Sequence, residues 1–103
     1  MTDQRTSPGA DAPATLHAEL TVSNRLGLHA RAAAKVVSVA SRFDASIRVR
    51  CGEREVDAKS IMGLLMLAAT QGTVLHCSIS GEHAQEALDE LVALFQRHFD
   101  ETP

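Results

Sequence analysis

His29 stands two residues before Arg31 and directly after Gly27-Leu28, where an apolar periodicity of helical spacing begins. A neutral imidazole is nucleophilic near neutral pH. A guanidinium two positions on supplies forked, permanently charged donors that match the oxygens of a phosphoryl group. The first amides of a helix lack intrahelical partners and carry the positive end of its dipole, so those of Ala30 and Arg31 would face an anion held on the ring. Together these groups suit phosphoryl transfer, with His29 as acceptor, Arg31 as phosphate clamp and the Ala30 and Arg31 amides as phosphate-binding backbone. Such transfer needs in-line positioning and charge stabilisation above all. The phosphoramidate formed is reactive enough to be passed onward, so a shallow site serves a carrier whose partners bring the remaining groups. A histidine here can also do no more than cap a helix or sit in a loop, and the motif by itself leaves both readings open.

The elements that must hold this junction are written in the periodicity. Leu16, Ala18, Leu20 and Val22 alternate with His17, Glu19, Thr21 and Ser23, which predicts a half-buried strand before the loop Asn24 to Leu28. Ala33, Val36, Val37, Ala40 and Phe43 recur at helical spacing and predict a helix from Ala30 to Arg42. Ile47, Val49 and Cys51, then Gly52-Glu53, then Val56 and Ala58 form a hairpin pattern. The continuous run Ile61 to Ala69 after Ser60 reads as a short helix capped by the serine hydroxyl. Leu75, Cys77 and Ile79 give a fourth strand, and Ala84, Ala87, Leu88, Leu91, Phe95 and Phe99 mark a last helix. The order is βαββαβα. Its faces are best satisfied by an α+β two-layer open-faced sandwich, a four-stranded antiparallel sheet with three helices on one side.

Composition narrows the function classes. With 103 residues, 45% hydrophobic and 22% charged, the chain fits one domain that folds without staples. Residues 1–14, rich in Pro, Gly, Ala, Asp and Thr, read as a disordered tail, residues 15–100 as the domain and 101–103 as a C-terminal tail. A net charge of −3, three Phe and no Trp or Tyr argue against a nucleic-acid partner or a stacking platform. No run is long enough to span a bilayer and no apolar leader opens the chain, so the cytoplasm is the expected compartment and no membrane insertion is expected. Cys51 and Cys77 sit in alternating segments and read as thiols rather than a disulfide.

Two motifs together carry a resemblance. Leu26-Gly27-Leu28-His29-Ala30-Arg31 resembles the active-site signature of the HPr family, the histidine-containing phosphocarriers of bacterial phosphoenolpyruvate-dependent phosphotransferase systems. Lys59-Ser60-Ile61-Met62-Gly63 resembles that family's second signature, and the likeness extends over residues 15–100. The resemblance implies that His29 is phosphorylated at Nδ1, that Arg31 is its phosphate partner, and that Enzyme I is the donor and an EIIA-type protein the acceptor. It further implies docking on an apolar patch of Ala30, Ala34, Ile61, Met62 and Leu65, no cofactor and a monomer. Ser60 matches the serine that HPr kinase/phosphorylase modifies in many members, although a helix cap would select Ser for about 1 kcal/mol without any kinase. The signature usually continues with Pro where this chain has Ala32, which should keep the helical turn but leave it less rigid.

The other histidines read as exposed polar residues: His17 and His76 on strands, His83 and His98 at the ends of the last helix. No pair has the spacing of a zinc site, so no metal is expected. Met62 and Met66 read as core and contact surface. Two other functions compete with a sugar phosphocarrier. One is a regulatory module of the same fold, nitrogen-type or switched by Ser60 phosphorylation, without direct sugar transport. The other is a ligand-binding domain on a ferredoxin-like scaffold, for which the required Gly-rich ligand loop is missing.

Overall fold

Four alternating segments form strands: β1 (Leu16–Thr21), β2 (Ser46–Cys51), β3 (Arg54–Asp57) and β4 (Val74–Ser80). Three amphipathic segments form helices: α1 (Ala30–Ala40), α2 (Ile61–Met66) and α3 (Ala84–Gln96). The computed structural model describes residues 15–101. The expected N-terminal tail, 1–14, and residues 102–103 lie outside the described residues.

The strands form one antiparallel sheet in the order β1-β4-β2-β3. Alternation decides the inner face. Leu75, Cys77 and Ile79 of β4 are fully buried and pair with Leu20, Ala18 and Leu16 of β1, while Ile47 and Val49 of β2 face the same core. The intervening residues, among them Arg48, Arg50, His17 and His76, lie on the outer face, where His17 meets Ser78 and His76 lies 3.8 Å from Glu19. On the apolar side α1 buries Ala32, Ala33, Val36 and Ala40, and α3 buries Ala87, Leu91, Leu94 and Phe95. Each aliphatic side chain taken fully out of water contributes about 1.5–3 kcal/mol, so this interlayer core is the main stabilising term. Both cysteines are free thiols, and burial pushes that of Cys77 up to about 11. No helix among the described residues is long and apolar enough to cross a membrane.

The helix ends depart from the periodicity. α1 stops at Ala40, two residues before the expected Arg42, because the amides of Arg42 and Phe43 turn back to Val39 and Ala40 in tighter i to i−3 bonds. α2 ends at Met66 rather than Ala69, and Ala68 beyond it has a φ of 51°. The largest departure is at the C-terminus. Phe99 continues the spacing of Leu91 and Phe95, yet α3 ends at Gln96 and His98, Phe99 and Asp100 form a separate turn with φ values of 56°, 55° and 62°. Left-handed backbone costs an L-residue about 1–2 kcal/mol. Complete burial of the Phe99 ring, edge-on to Phe95 with centroids 4.7 Å apart, offsets much of that cost.

Candidate functional site

The site grows from the loop after β1. Val22 is fully buried and closes a pair of backbone bonds with the β4 approach, donating to Thr73 at 2.8 Å and accepting from Gly72 at 2.7 Å. Gly27 follows with a φ of +73°, and a Cβ there would lie 2.6 Å from the carbonyl oxygen of Ala69. Leu28 buries its side chain and donates its N–H to that same oxygen at 2.9 Å. His29 is thereby delivered in extended backbone, φ −78° and ψ 179°, as the N-cap of α1.

Both ring nitrogens of His29 have partners. Nδ1 accepts the backbone N–H of Arg31 at 3.2 Å, so it carries a lone pair, and Nε2 meets Glu101 Oε2 and bears the hydrogen. This tautomer is assigned from the hydrogen-bond partners. The histidine therefore does cap its helix, and the cap bond aims the nucleophilic nitrogen at the open end of α1. About 28% of its side chain remains exposed, so the ring sits at the surface rather than in the core.

Asn24 organises the other side of the ring. Its Nδ2 donates to the Gly27 carbonyl at 2.7 Å and to Glu101 Oε1 at 3.0 Å, and its buried Oδ1 has no partner among the described residues. Burial pushes the pKa of Glu101 up, but the hydrogen bonds from His29 and Asn24 and the attraction of the nearby His29 and Lys35 outweigh it, holding the carboxyl below its usual range. Beside these groups lies an open groove of about 680 Å³, walled by Arg25, Arg31, Lys35, His98 and Asp100. Lys35 is occupied, donating to the Phe99 carbonyl at 2.6 Å with Asp100 3.9 Å away. The Arg31 side chain is exposed, and its guanidinium makes no hydrogen bond or ion pair among the described residues. Its amide is engaged by the His29 ring.

The second segment falls where a cap belongs. Ser60 Oγ accepts the N–H of Gly63 at 3.0 Å at the start of α2. Ile61 and Met62 are exposed, 41% and 69%, Leu65 is half-buried, and Ala30 and Ala34 are exposed on α1, which packs against α2. Ala32, in the position the signature gives to Pro, is fully buried. Sequence reasoning missed one member of this surface and two of the site. Leu26, 68% exposed in the loop, extends the apolar surface, as does Met66, 57% exposed and read from its spacing as contact surface. An apolar residue in a loop with no strand or helix to bury it was the available signal for Leu26. Asn24 and Glu101 carried none, since neither belongs to a periodic segment.

The family model described as the phosphorylation site of the HPr component of the phosphotransferase system matches residues 16–97, most of the chain. The chain belongs to the HPr family. HPr proteins of bacteria resemble it along nearly their whole length. The phosphocarrier protein HPr of Pseudomonas aeruginosa is 55% identical over 84 residues, covering 81% of this chain and 93% of its own. That of Xylella fastidiosa strain Temecula1 is 50% identical over 86 residues, covering 84% and 97%. The crystal structure of HPr from Thermoanaerobacter tengcongensis superposes with a TM-score of 0.82 at 39% identity, covering 85% of this chain and 99% of the other. The sheet order and the three helices are thus those of an HPr fold, and this HPr-family chain is a phosphocarrier of the phosphotransferase system.

Proposed function

We propose that His29 accepts a phosphoryl group from phospho-Enzyme I on Nδ1 and passes it to an EIIA-type protein, with phosphoenolpyruvate as the ultimate source. The observation that carries this reading is the aim of Nδ1. Its lone pair is directed at the Arg31 N–H, so an electrophilic phosphorus arriving there meets the nucleophile, the helix amides and the Arg31 side chain on one side of the ring. In the acceptance step the lone pair becomes the P–N bond while the bond from phosphorus to the donor breaks and its electrons leave with the donor. The cap bond is lost at that moment, which frees the Arg31 amide, alongside that of Ala30, for a phosphoryl oxygen.

Partners would dock on the apolar surface of Ala30, Ala34, Ile61, Met62 and Leu65, enlarged by Leu26 and Met66. Ser60, beside Ile61 and Met62, is the proposed site of regulation by an HPr kinase/phosphorylase, since a phosphate there adds charge at the edge of the docking surface.

Incubation with phosphoenolpyruvate and Enzyme I should leave an acid-labile, base-stable phosphate on the chain. His29→Ala should abolish it and Arg31→Ala should slow its appearance. Phosphate that survives His29→Ala would refute the assignment.

A further inference from the structure

Beyond Gln96 the left-handed turn folds the chain back onto the start of α1, and three attachments hold it there. Phe99 is fully buried, its carbonyl accepts from Lys35 Nζ at 2.6 Å, and His98 Nδ1 bonds to Ser23 Oγ at 2.6 Å. The outcome is a carboxylate on the Nε2 side of His29 whose second oxygen is gripped by the buried amide of Asn24. Asn24 is fixed in turn by the loop carbonyl of Gly27. An imidazole oriented by a carboxylate, itself oriented by a buried amide, is an ordered chain of hydrogen bonds rather than a chance surface pair.

Resting on the phosphoryl-transfer reading of His29, we propose that Glu101 is a positioning residue that keeps the Nε2 proton in place through the transfer cycle and supplies the counter-charge for the ring while Nδ1 carries phosphorus. When the Nδ1 lone pair becomes the P–N bond, the ring retains its Nε2 hydrogen and becomes an imidazolium. When the phosphoryl group moves on, the P–N electrons return to Nδ1 and the ring is neutral again. No proton has to enter or leave. The positive charge is created and discharged against Glu101, as a carboxylate behind a catalytic imidazole stabilises the imidazolium in acyl-transfer enzymes. The phosphate's own negative charge lies across the ring, on the side of the Arg31 amide. Among the described residues the other titratable groups near Glu101 are Lys35 and Asp100, with Arg25, Arg31 and His98 on the groove wall. The hydrogen bonds from His29 and Asn24, with Lys35 nearby, keep the carboxylate ionised.

The test uses the full chain with Enzyme I. Glu101→Gln keeps the shape and removes the charge. It should lower the equilibrium constant for phosphorylation by phospho-Enzyme I about tenfold, the effect of one nearby opposite charge on an ionised group. The Enzyme I concentration at half-maximal rate should not change, and Glu101→Asp should recover part of the loss. In the unphosphorylated protein, proton NMR should show a slowly exchanging, downfield His29 Nε2 hydrogen that Glu101→Ala removes while the melting curve stays cooperative. A Glu101→Gln chain phosphorylated to the wild-type extent or further overturns this proposal alone, as does a wild-type chain with no protected ring hydrogen. A wild-type chain that takes no phosphate from Enzyme I overturns the carrier reading and the counter-charge role together.

Discussion

Gly27 presses its bare Cα against the carbonyl of Ala69, 42 positions along the chain, at a separation that leaves no room for a methyl group. The same oxygen accepts the Leu28 amide, so the loop that delivers His29 is registered against the segment entering β4 by one atom. Gly27→Ala adds a clash and a left-handed alanine at once, and should cost about 1–3 kcal/mol. For a domain of this size each kcal/mol lowers the melting temperature by about 4–8 °C. A melt within 2 °C of wild type would show that the loop can relax, and phosphorylation of His29 should slow in step with the destabilisation.

Ser60 permits a clean separation of structural and regulatory roles. Ser60→Ala removes the acceptor for the Gly63 amide and should cost about 1 kcal/mol in denaturant unfolding. Ser60→Asp keeps a cap acceptor and adds charge that the α2 N-terminus tolerates, so its stability should match wild type. Any fall in its transfer rate then reports charge beside Ile61 and Met62 rather than unfolding. Equal rates for wild type and Ser60→Asp would argue against regulation through charge at this position.

The side chains of Leu26 and Met62 are exposed and stand outside the buried core of the described residues. Met62→Asp should therefore leave the melting curve unchanged and raise the Enzyme I concentration needed for half-maximal transfer about tenfold, a typical loss for a buried interface residue. Leu26→Asp should act in the same direction. Unaltered kinetics in both would place the docking surface elsewhere.

Cys77 lies between β1 and β2 in the sheet core, and its thiol is pushed up to about 11 by burial, whereas an unfolded cysteine ionises near pH 8.5. The folded state therefore binds the proton more tightly. The resulting stability is complete below about pH 8.5 and falls as pH rises through that range toward 11. Alkylation of the native protein at pH 8 should modify the half-buried Cys51 first, with Cys77 reacting only on unfolding. Equal labelling rates would mean that β4 opens readily.

The strands and the His29 junction could be read from residue types because burial on one face imposes a period of two, and a helix start imposes unpaired amides. β4 shows this well: every second residue from Leu75 to Ile79 faces the core. Phe99 shows where such reading stops. It keeps the four-residue spacing of Leu91 and Phe95, and spacing reports which residues are buried, not the sign of φ that carries them there. Glu101 was invisible for a related reason. Its role depends on the turn before it and on a partner remote in sequence, so no local pattern around it differs from that of a tail.

His29 and its carboxylate partner are separated by 72 positions, nearly the whole domain. During synthesis the nucleophile therefore exists well before the group that tethers its ring, and only a chain completed through Glu101 has the full arrangement. The same separation matters to anyone who extends the molecule. A fusion joined closely behind Glu101 begins at the mouth of the groove, where its bulk would compete with incoming partners.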